Sequence, residues 1–261
     1  MKIYCLQFDI QWENKEANFA KVRALLSAET LIQDSLVLLP ELFATGFSMN
    51  VAQIAEGDDS VTERFLSETA RKFRVFLLGG LVAKGKDGHG RNECAYFSSE
   101  GQLITRYCKL QPFTLGGESD NYMAGGRVVL TQWQGFSLAP FICYDLRFPE
   151  IFRAAMRRGA NLFTVIANWP VARIEHWVTL LRARAIENQA YVAGVNRCGS
   201  DPKLTYTGRS LIVDPGGEII ADANDGERII SADVNLDIVN NYRRELPFLK
   251  DVRGDYEKLV V

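Results

Sequence analysis

Apolar positions along the chain fall into short runs separated by amphipathic stretches, and that alternation sets the expected order of elements. Lys2–Phe8 alternates as a strand, and Phe19, Val22, Leu25 and Leu26 within Asn18–Ser27 keep the spacing of one helix face. Ser35–Leu39 is a second apolar run, stopped by Pro40 and Glu41. Ser60 and Glu63 have the spacing of a capping box, in which each side chain satisfies the other's orphan amide, so a helix is expected from Val61 to Phe73. Val75–Leu81 returns as a strand. The resulting order βαβαβ is an α/β signature.

Glu93–Phe97 and Leu103–Lys109 flank a short gap containing Gly101 and are expected to form an antiparallel hairpin. The segment from Gln111 to Arg127 is rich in glycine and polar residues, and long structureless loops inside compact domains are usually functional. Phe136–Ile142, bounded by Gln134-Gly135, predicts a buried strand with Cys143 at its carboxyl end. A helix follows with Pro149 at its first position, where the missing N–H costs nothing, and Gly159 just past its end. Asn161–Ala167 is the next strand, then a helix over Arg173–Ala190 and a strand over Tyr191–Arg197. A hairpin of Thr207–Val213 and Glu218–Ala221, a strand Arg228–Asp233 and a helix Leu236–Arg244 stopped by Pro247 complete the pattern. The β/α alternation therefore occurs twice, with hairpins after each part.

Length and charge narrow the classes. The 261 residues suit one large α/β domain over 1–261, and 47% hydrophobic with 24% charged residues is ample for a core. No apolar stretch is long enough to cross a membrane, and a net charge of −2 offers no general attraction to nucleic acid or anionic lipid. The segment Met1–Asp9 lacks the apolar core and cleavage site of a secretion signal, so a cytoplasmic location is expected. Five cysteines without CxxC spacing argue against a disulfide framework or a zinc site. The two histidines are His89, in a glycine-rich solvated turn, and His176, in a helix. A nucleophilic cysteine here therefore calls for a carboxylate as its base.

Three residues with reactive side chains end apolar or alternating strands: Glu41, Lys109 and Cys143. If those strands share a sheet, the three lie at the same end of it, where open α/β sheets bind ligands. A carboxylate desolvated at the edge of an apolar run suits proton transfer near neutral pH. An ammonium beside the thiol would favour the thiolate and could stabilise an oxyanion. Acid-base group, cation and thiol together make an acyl-transfer site.

Pro40-Glu41-Leu42-Phe43, Lys109-Leu110 and Ile142–Glu150 resemble the three catalytic blocks of the nitrilase, or carbon–nitrogen hydrolase, superfamily, in that order and with similar spacing. Ala167–Pro170, His176-Trp177, Arg182–Ala193 and Gly194–Arg197 extend the likeness over nearly the whole chain and are most similar to the omega-amidase branch, including bacterial 2-oxoglutaramate amidases. The resemblance implies a four-layer α-β-β-α sandwich, usually a homodimer joined through helix faces next to the nucleophile, working without metal or organic cofactor. It implies Glu41 as general base, Cys143 as the nucleophile that forms a thioester and releases ammonia, and Lys109 with the backbone N–H of Tyr144 as oxyanion donors. A second acid of the family, on the loop after the lysine, maps to Glu118.

An omega-amidase substrate carries a terminal amide and, at its far end, a 2-oxo carboxylate that a buried cation should meet. Arg197, following the strand from Tyr191, is the expected cation, with Phe47 and Trp169 as apolar walls. Arg147 is assigned to a fold-holding salt bridge with Asp145 and Glu150, and Arg182 and Arg184 to a solvated or interface face. The competing readings are an amidase for deaminated glutathione or a carbamoyl compound, and a catalytically silent scaffold or binding protein of the same fold.

Overall fold

The computed structural model describes residues 1–254. The first half of the chain supplies β1 (Lys2–Gln7), α1 (Lys15–Ala28), β2 (Leu36–Leu38), a short α2 (Val51–Ile54), α3 (Val61–Phe73), β3 (Phe76–Lys84), β4 (Gly90–Phe97) and β5 (Leu103–Cys108). The second half supplies β6 (Thr131–Trp133), β7 (Phe136–Ile142), α4 (Pro149–Arg157), β8 (Leu162–Ala167), α5 (Ile174–Asn188) and β9 (Tyr191–Asn196). It ends with β10 (Cys198–Ser200), β11 (Thr205–Thr207), β12 (Leu211–Val213), β13 (Ile219–Asp222), β14 (Arg228–Asp233) and α6 (Leu236–Glu245).

Two mixed six-stranded sheets result, ordered β14-β1-β2-β3-β4-β5 and β13-β12-β9-β8-β7-β6, with β10 and β11 as a separate pair. Alternation along β1 explains the layering, because successive side chains of a strand point to opposite faces. Ile3 and Cys5 join a core shared with Leu138, Val165 and Val192 of the second sheet, so the sheets pack face to face. Tyr4 and Leu6 instead meet Phe19, Val22 and Leu26 of α1 and Phe65, Leu66 and Ala70 of α3. Helices α4 and α5 cover the far side of the second sheet, where Phe152 and Trp177 extend its core. This is the α-β-β-α sandwich expected from the sequence.

Several local expectations change. Helix α1 begins at Lys15, earlier than the apolar spacing alone predicts, because the Asn14 side chain caps it by accepting from Ala17 N. The capping box at α3 forms by half: Ser60 accepts from Glu63 N at 3.0 Å, but the Glu63 carboxylate pairs with Arg106. The stretch Thr207–Val213 is not one strand. Gly208 (φ 91) and Arg209 (φ 55) turn the chain between β11 and β12, and a Cβ at Gly208 would stand 2.1 Å from the Gln7 side chain that fills its place. Strand β14 crosses back to pair antiparallel with β1 in the first sheet.

The three strand ends do not share one sheet. Glu41 and Lys109 follow β2 and β5 of the first sheet, while Cys143 follows β7 of the second. They meet because the sheets face each other with these ends aligned.

Candidate active site

Glu41 reaches its place through a tight approach of two backbones. A Cβ at Gly80 of β3 would lie 2.4 Å from Leu42 N and 2.8 Å from Glu41 Cα, so the turn after β2 can form only over a glycine. Glu41 is 0% exposed, and all four lone-pair directions of its carboxylate face donors. Oε1 accepts from Lys109 Nζ at 2.9 Å and Asn92 Nδ2 at 2.7 Å; Oε2 accepts from Asn168 N at 2.9 Å and Asn168 Nδ2 at 3.3 Å. Burial pushes this carboxyl up, but Lys109, Asn92 and Asn168 outweigh it and hold it below the usual glutamate range.

Lys109, also buried, donates to Glu118 at 2.8 and 3.1 Å as well as to Glu41. Burial alone would lower an ammonium's pKa; Glu118 and Glu41 reverse that and hold it well above the ordinary lysine value. Glu118 sits on the loop after Lys109, in the short 3-10 turn Glu118–Asp120, and its carboxylate also accepts from Phe113 N at 2.6 Å and Asn92 Nδ2 at 2.8 Å. The loop from Gln111 to Arg127 is thus folded around a buried acid.

Cys143 stands at the end of β7 with φ 47, a left-handed conformation that is costly outside glycine and turns the thiol out of the strand. Asp145 locks this turn, accepting from Ile142 N at 3.0 Å, Tyr107 OH at 2.7 Å and Gln111 N at 2.9 Å. It thereby ties the cysteine turn to the strand and loop that carry Lys109. Burial pushes the Asp145 carboxyl up to about 6. The Cys143 thiol faces the carbonyl of Asn168 at 4.0 Å. Burial and the Glu41 carboxylate push its pKa well above the ordinary thiol value, against the pull of Lys109. The thiolate-favouring environment expected from the lysine alone is therefore reversed, first by burial and then by the carboxylates around the one ammonium. A protonated thiol beside an ionised carboxylate needs a base in the act of attack.

A cleft opens over Cys143, lined by Phe47, Phe113, Tyr144, Trp169, Arg147 and Arg173 among others. Phe47 and Trp169 are walls, as the sequence suggests; the Phe47 ring lies 5.3 Å from Lys109 Nζ. Tyr144 occupies the first turn of the segment Cys143–Arg147, its ring 5.0 Å from that of Phe113.

The arginines are placed differently from the sequence reading. Arg197 is 0% exposed and committed to structure: it pairs with Asp9 at 2.7 Å, donates to the carbonyls of Ile10, Ser200 and Cys198, and stacks on Tyr206. Its strand delivers it to the first sheet's β1 end, behind the cleft-lining Tyr206, and Arg197 is not itself among the lining residues. Arg147, expected in a salt bridge, pairs with no carboxylate among the described residues. Asp145 is saturated by neutral donors, and the Arg147 guanidinium instead lies over Trp169 at 4.7 Å and near His176 Nδ1 at 3.4 Å, facing the cleft. Burial and the neighbouring Arg173 lower its pKa, the mark of a cation short of anions. Arg182 is exposed as expected, but Arg184 is buried and donates to Leu146 O at 2.7 Å, bracing the cysteine turn. Replacing Arg197 with leucine is accordingly expected to cost on the order of 3 kcal/mol in a urea melt by orphaning buried carbonyls, with KM for the amide unchanged.

Sequence reasoning missed Asn92 and Asn168, which hold the acids, and Arg173. Asn92 lies between Arg91 and Glu93 at the polar start of its strand, so nothing in the local pattern singled it out, and the same holds for Arg173. Among the described residues no group of three or more His, Cys, Asp or Glu side chains is placed to hold a metal ion, and no helix is long and apolar enough to cross a membrane.

The buried acids, ammonium and thiol around one cleft agree with the relatives that the chain finds. It is 37% identical over 254 residues to the 2-oxoglutaramate amidase of Bacillus subtilis (strain 168), covering 97% of this chain and 98% of that one. It is 38% identical over 253 residues to the omega-amidase YafV of Yersinia enterocolitica, covering 96% of each. XC1258 from Xanthomonas campestris, a CN-hydrolase superfamily protein solved with an arsenic adduct in its active site, matches with a TM-score of 0.91 and 31% identity over 97% of both chains. The carbon–nitrogen hydrolase family model spans residues 2–244, and with the fold and these relatives it establishes that the chain belongs to that family, as an omega-amidase-like hydrolase.

Proposed function

We propose that the protein hydrolyses the terminal amide of small omega-monoamides of 2-oxo dicarboxylic acids, compounds of the 2-oxoglutaramate kind, to the acid and ammonia. The observation that carries this choice of substrate is the pair Arg147 and Arg173, two guanidinium groups that line the cleft with Cys143 and pair with no carboxylate among the described residues. A planar guanidinium takes a carboxylate through two parallel hydrogen bonds, and the 2-oxo acid end of such a substrate supplies one. The names of the relatives from Bacillus subtilis and Yersinia enterocolitica support the same reading.

In this mechanism Glu41 takes the proton of the Cys143 thiol as sulfur attacks the amide carbon. The Lys109 ammonium and the Tyr144 N–H stabilise the oxyanion of the tetrahedral intermediate, a contribution of about 3–4 kcal/mol per donor. The proton passes from Glu41 to the amide nitrogen, the C–N bond breaks, and ammonia leaves a thioester on Cys143. Glu41 then takes a proton from water, hydroxide adds to the thioester carbon, and the thiol leaves with that proton. Glu118 holds Lys109 in place through both half-reactions.

Ammonia release from 2-oxoglutaramate, beside a panel of omega-amides, carbamoyl compounds and a deaminated glutathione, tests the substrate. Rapid release from the 2-oxo amide supports the proposal; silence there with turnover of the peptide-sized amide shifts it to the second substrate. Arg147→Leu is expected to lower kcat/KM for 2-oxoglutaramate by about 100-fold, as for loss of a charge-assisted contact, while turnover of a neutral short amide changes little. Equal losses on both substrates would remove Arg147 from carboxylate binding.

A further inference from the structure

Asn92 touches both acids and the lysine of the site, yet the mechanism gives it no part. It lies in β4 between β3 and β5, is 1% exposed, and has two side-chain N–H groups. One meets Glu41 Oε1 at 2.7 Å and the other Glu118 Oε1 at 2.8 Å. Its backbone carbonyl accepts from Lys109 N at 2.9 Å, fixing the lysine at the end of β5. Lys109 Nζ and Asn92 Nδ2 therefore form a double bridge between the same two carboxylates. The Asn92 Oδ1 atom, meanwhile, is buried without a partner among the described residues. A buried acceptor left unpaired is costly, and turning the amide over would set that oxygen against two carboxylates, so the residue is kept for its donors.

Charge explains why an amide stands there. Two carboxyl groups share one ammonium in the buried cluster. A second cation would neutralise the base and anchor it in its ionised form, whereas a third carboxylate would repel both acids. A neutral fork with two donors holds both acids at one spacing and leaves their charge unchanged.

We propose that Asn92 is a positioning residue of the reaction, holding Glu41 and Glu118 at a fixed spacing on the Lys109 ammonium so that Glu41 remains ready to take the Cys143 proton. This rests on the assignment of Glu41 and Cys143 above. The groups facing Glu41 from the packed elements are Lys109 after β5, Glu118 and Tyr122 on the following loop, and Cys143 after β7, with Asp145 behind Lys109. Asn92 is one of the donors that lower the Glu41 pKa, so its removal raises that pKa and shifts the acid limb of the rate profile to higher pH.

The test uses Asn92→Leu, Asn92→Asp and Cys143→Ala with 2-oxoglutaramate, rates being normalised to the Cys143 thiol titrated by iodoacetamide and read by peptide mass spectrometry. Asn92→Leu removes the bonds to both acids and is expected to lower kcat by about 10- to 100-fold, the range for losing the charge-assisted bond that bears on Glu41, with KM within about twofold. Asn92→Asp, nearly isosteric, is expected to move the acid limb of kcat/KM up by about one pH unit or more, since three carboxylates then share one ammonium. Iodoacetamide trapping of Cys143 at fixed pH reads the same base independently of the amide used, and slows in step with kcat. An unchanged kcat per titrated thiol, a loss confined to KM or to melting temperature, or an acid limb that stays in place in Asn92→Asp overturns the proposal. Turnover surviving in Cys143→Ala would instead overturn the assignment of the site, and this inference with it.

Discussion

Cys143→Ala is expected to release no ammonia above background from any amide the native protein hydrolyses, while its melting temperature stays within a few degrees of the native value. In the proposed mechanism the sulfur forms the thioester, and among the described residues that line the cleft no other thiol, serine or threonine stands in reach to replace it. The structural cost is small, because the thiol's one contact with a polar atom is a weak one to Asn168 O at 4.0 Å. Alanine inherits the φ of 47 that cysteine already tolerates, so the strain is common to both. Ammonia release and a thermal melt on the same sample check both halves. Full activity in the alanine variant would remove Cys143 from the chemistry.

Glu41→Gln is expected to lower kcat by about 10²- to 10⁴-fold, the usual range for loss of a general base. The glutamine amide cannot take the thiol proton, and the raised pKa of Cys143 leaves little thiolate to react without a base. The substitution is also less innocent than its size suggests. Four donors converge on the Glu41 carboxylate, two from Asn168 and one each from Lys109 and Asn92, so an NH2 group in place of one oxygen meets donors with a donor. A lower melting temperature is therefore expected beside the lost rate. Single-turnover measurement of thioester formation separates the two effects: a folded variant that acylates at the native rate would assign the base elsewhere.

Within the cleft, the acids and the arginines divide the work by their company. Glu41 and Glu118 share the Lys109 ammonium, which holds both carboxyl groups beside the sulfur. Arg147 and Arg173 stand opposite with aromatic rings for neighbours, Trp169 and Phe113, which leaves their positive charge for a ligand. Under the proposed function, an amide with an anionic far end would lie between these two regions, its carbonyl carbon at Cys143 and its carboxylate toward the arginines.

Legibility in the sequence followed the range of the interactions. The strands ending at Cys143 and near Glu41 were readable because a strand buried on both faces is an apolar run, and the one before Lys109 because a short gap with Gly101 marks a hairpin. The break at Gly208 and Arg209 was not readable, since it depends on the Gln7 side chain from the other end of the chain occupying the space of a missing Cβ. Arg197 looked like the ligand's partner because it follows an apolar strand, as functional residues do in such sheets. Its real partner, Asp9, lies 188 positions away in sequence and on the other sheet's side.

By itself, then, the sequence determined the α/β order, the place of the nucleophile and its two charged companions, and the family blocks that surround them. Periodicity, turn residues and strand-end chemistry are local properties that each segment carries alone. Tertiary structure decided that the three groups come from two sheets, that Asn92 and Asn168 donate to Glu41, and that Arg147 and Arg173 line the cleft while Arg197 does not. Those outcomes turn on which distant carboxylate, carbonyl or ring satisfies each buried polar group, and a buried charge goes wherever the folded chain offers a partner or leaves one for the substrate.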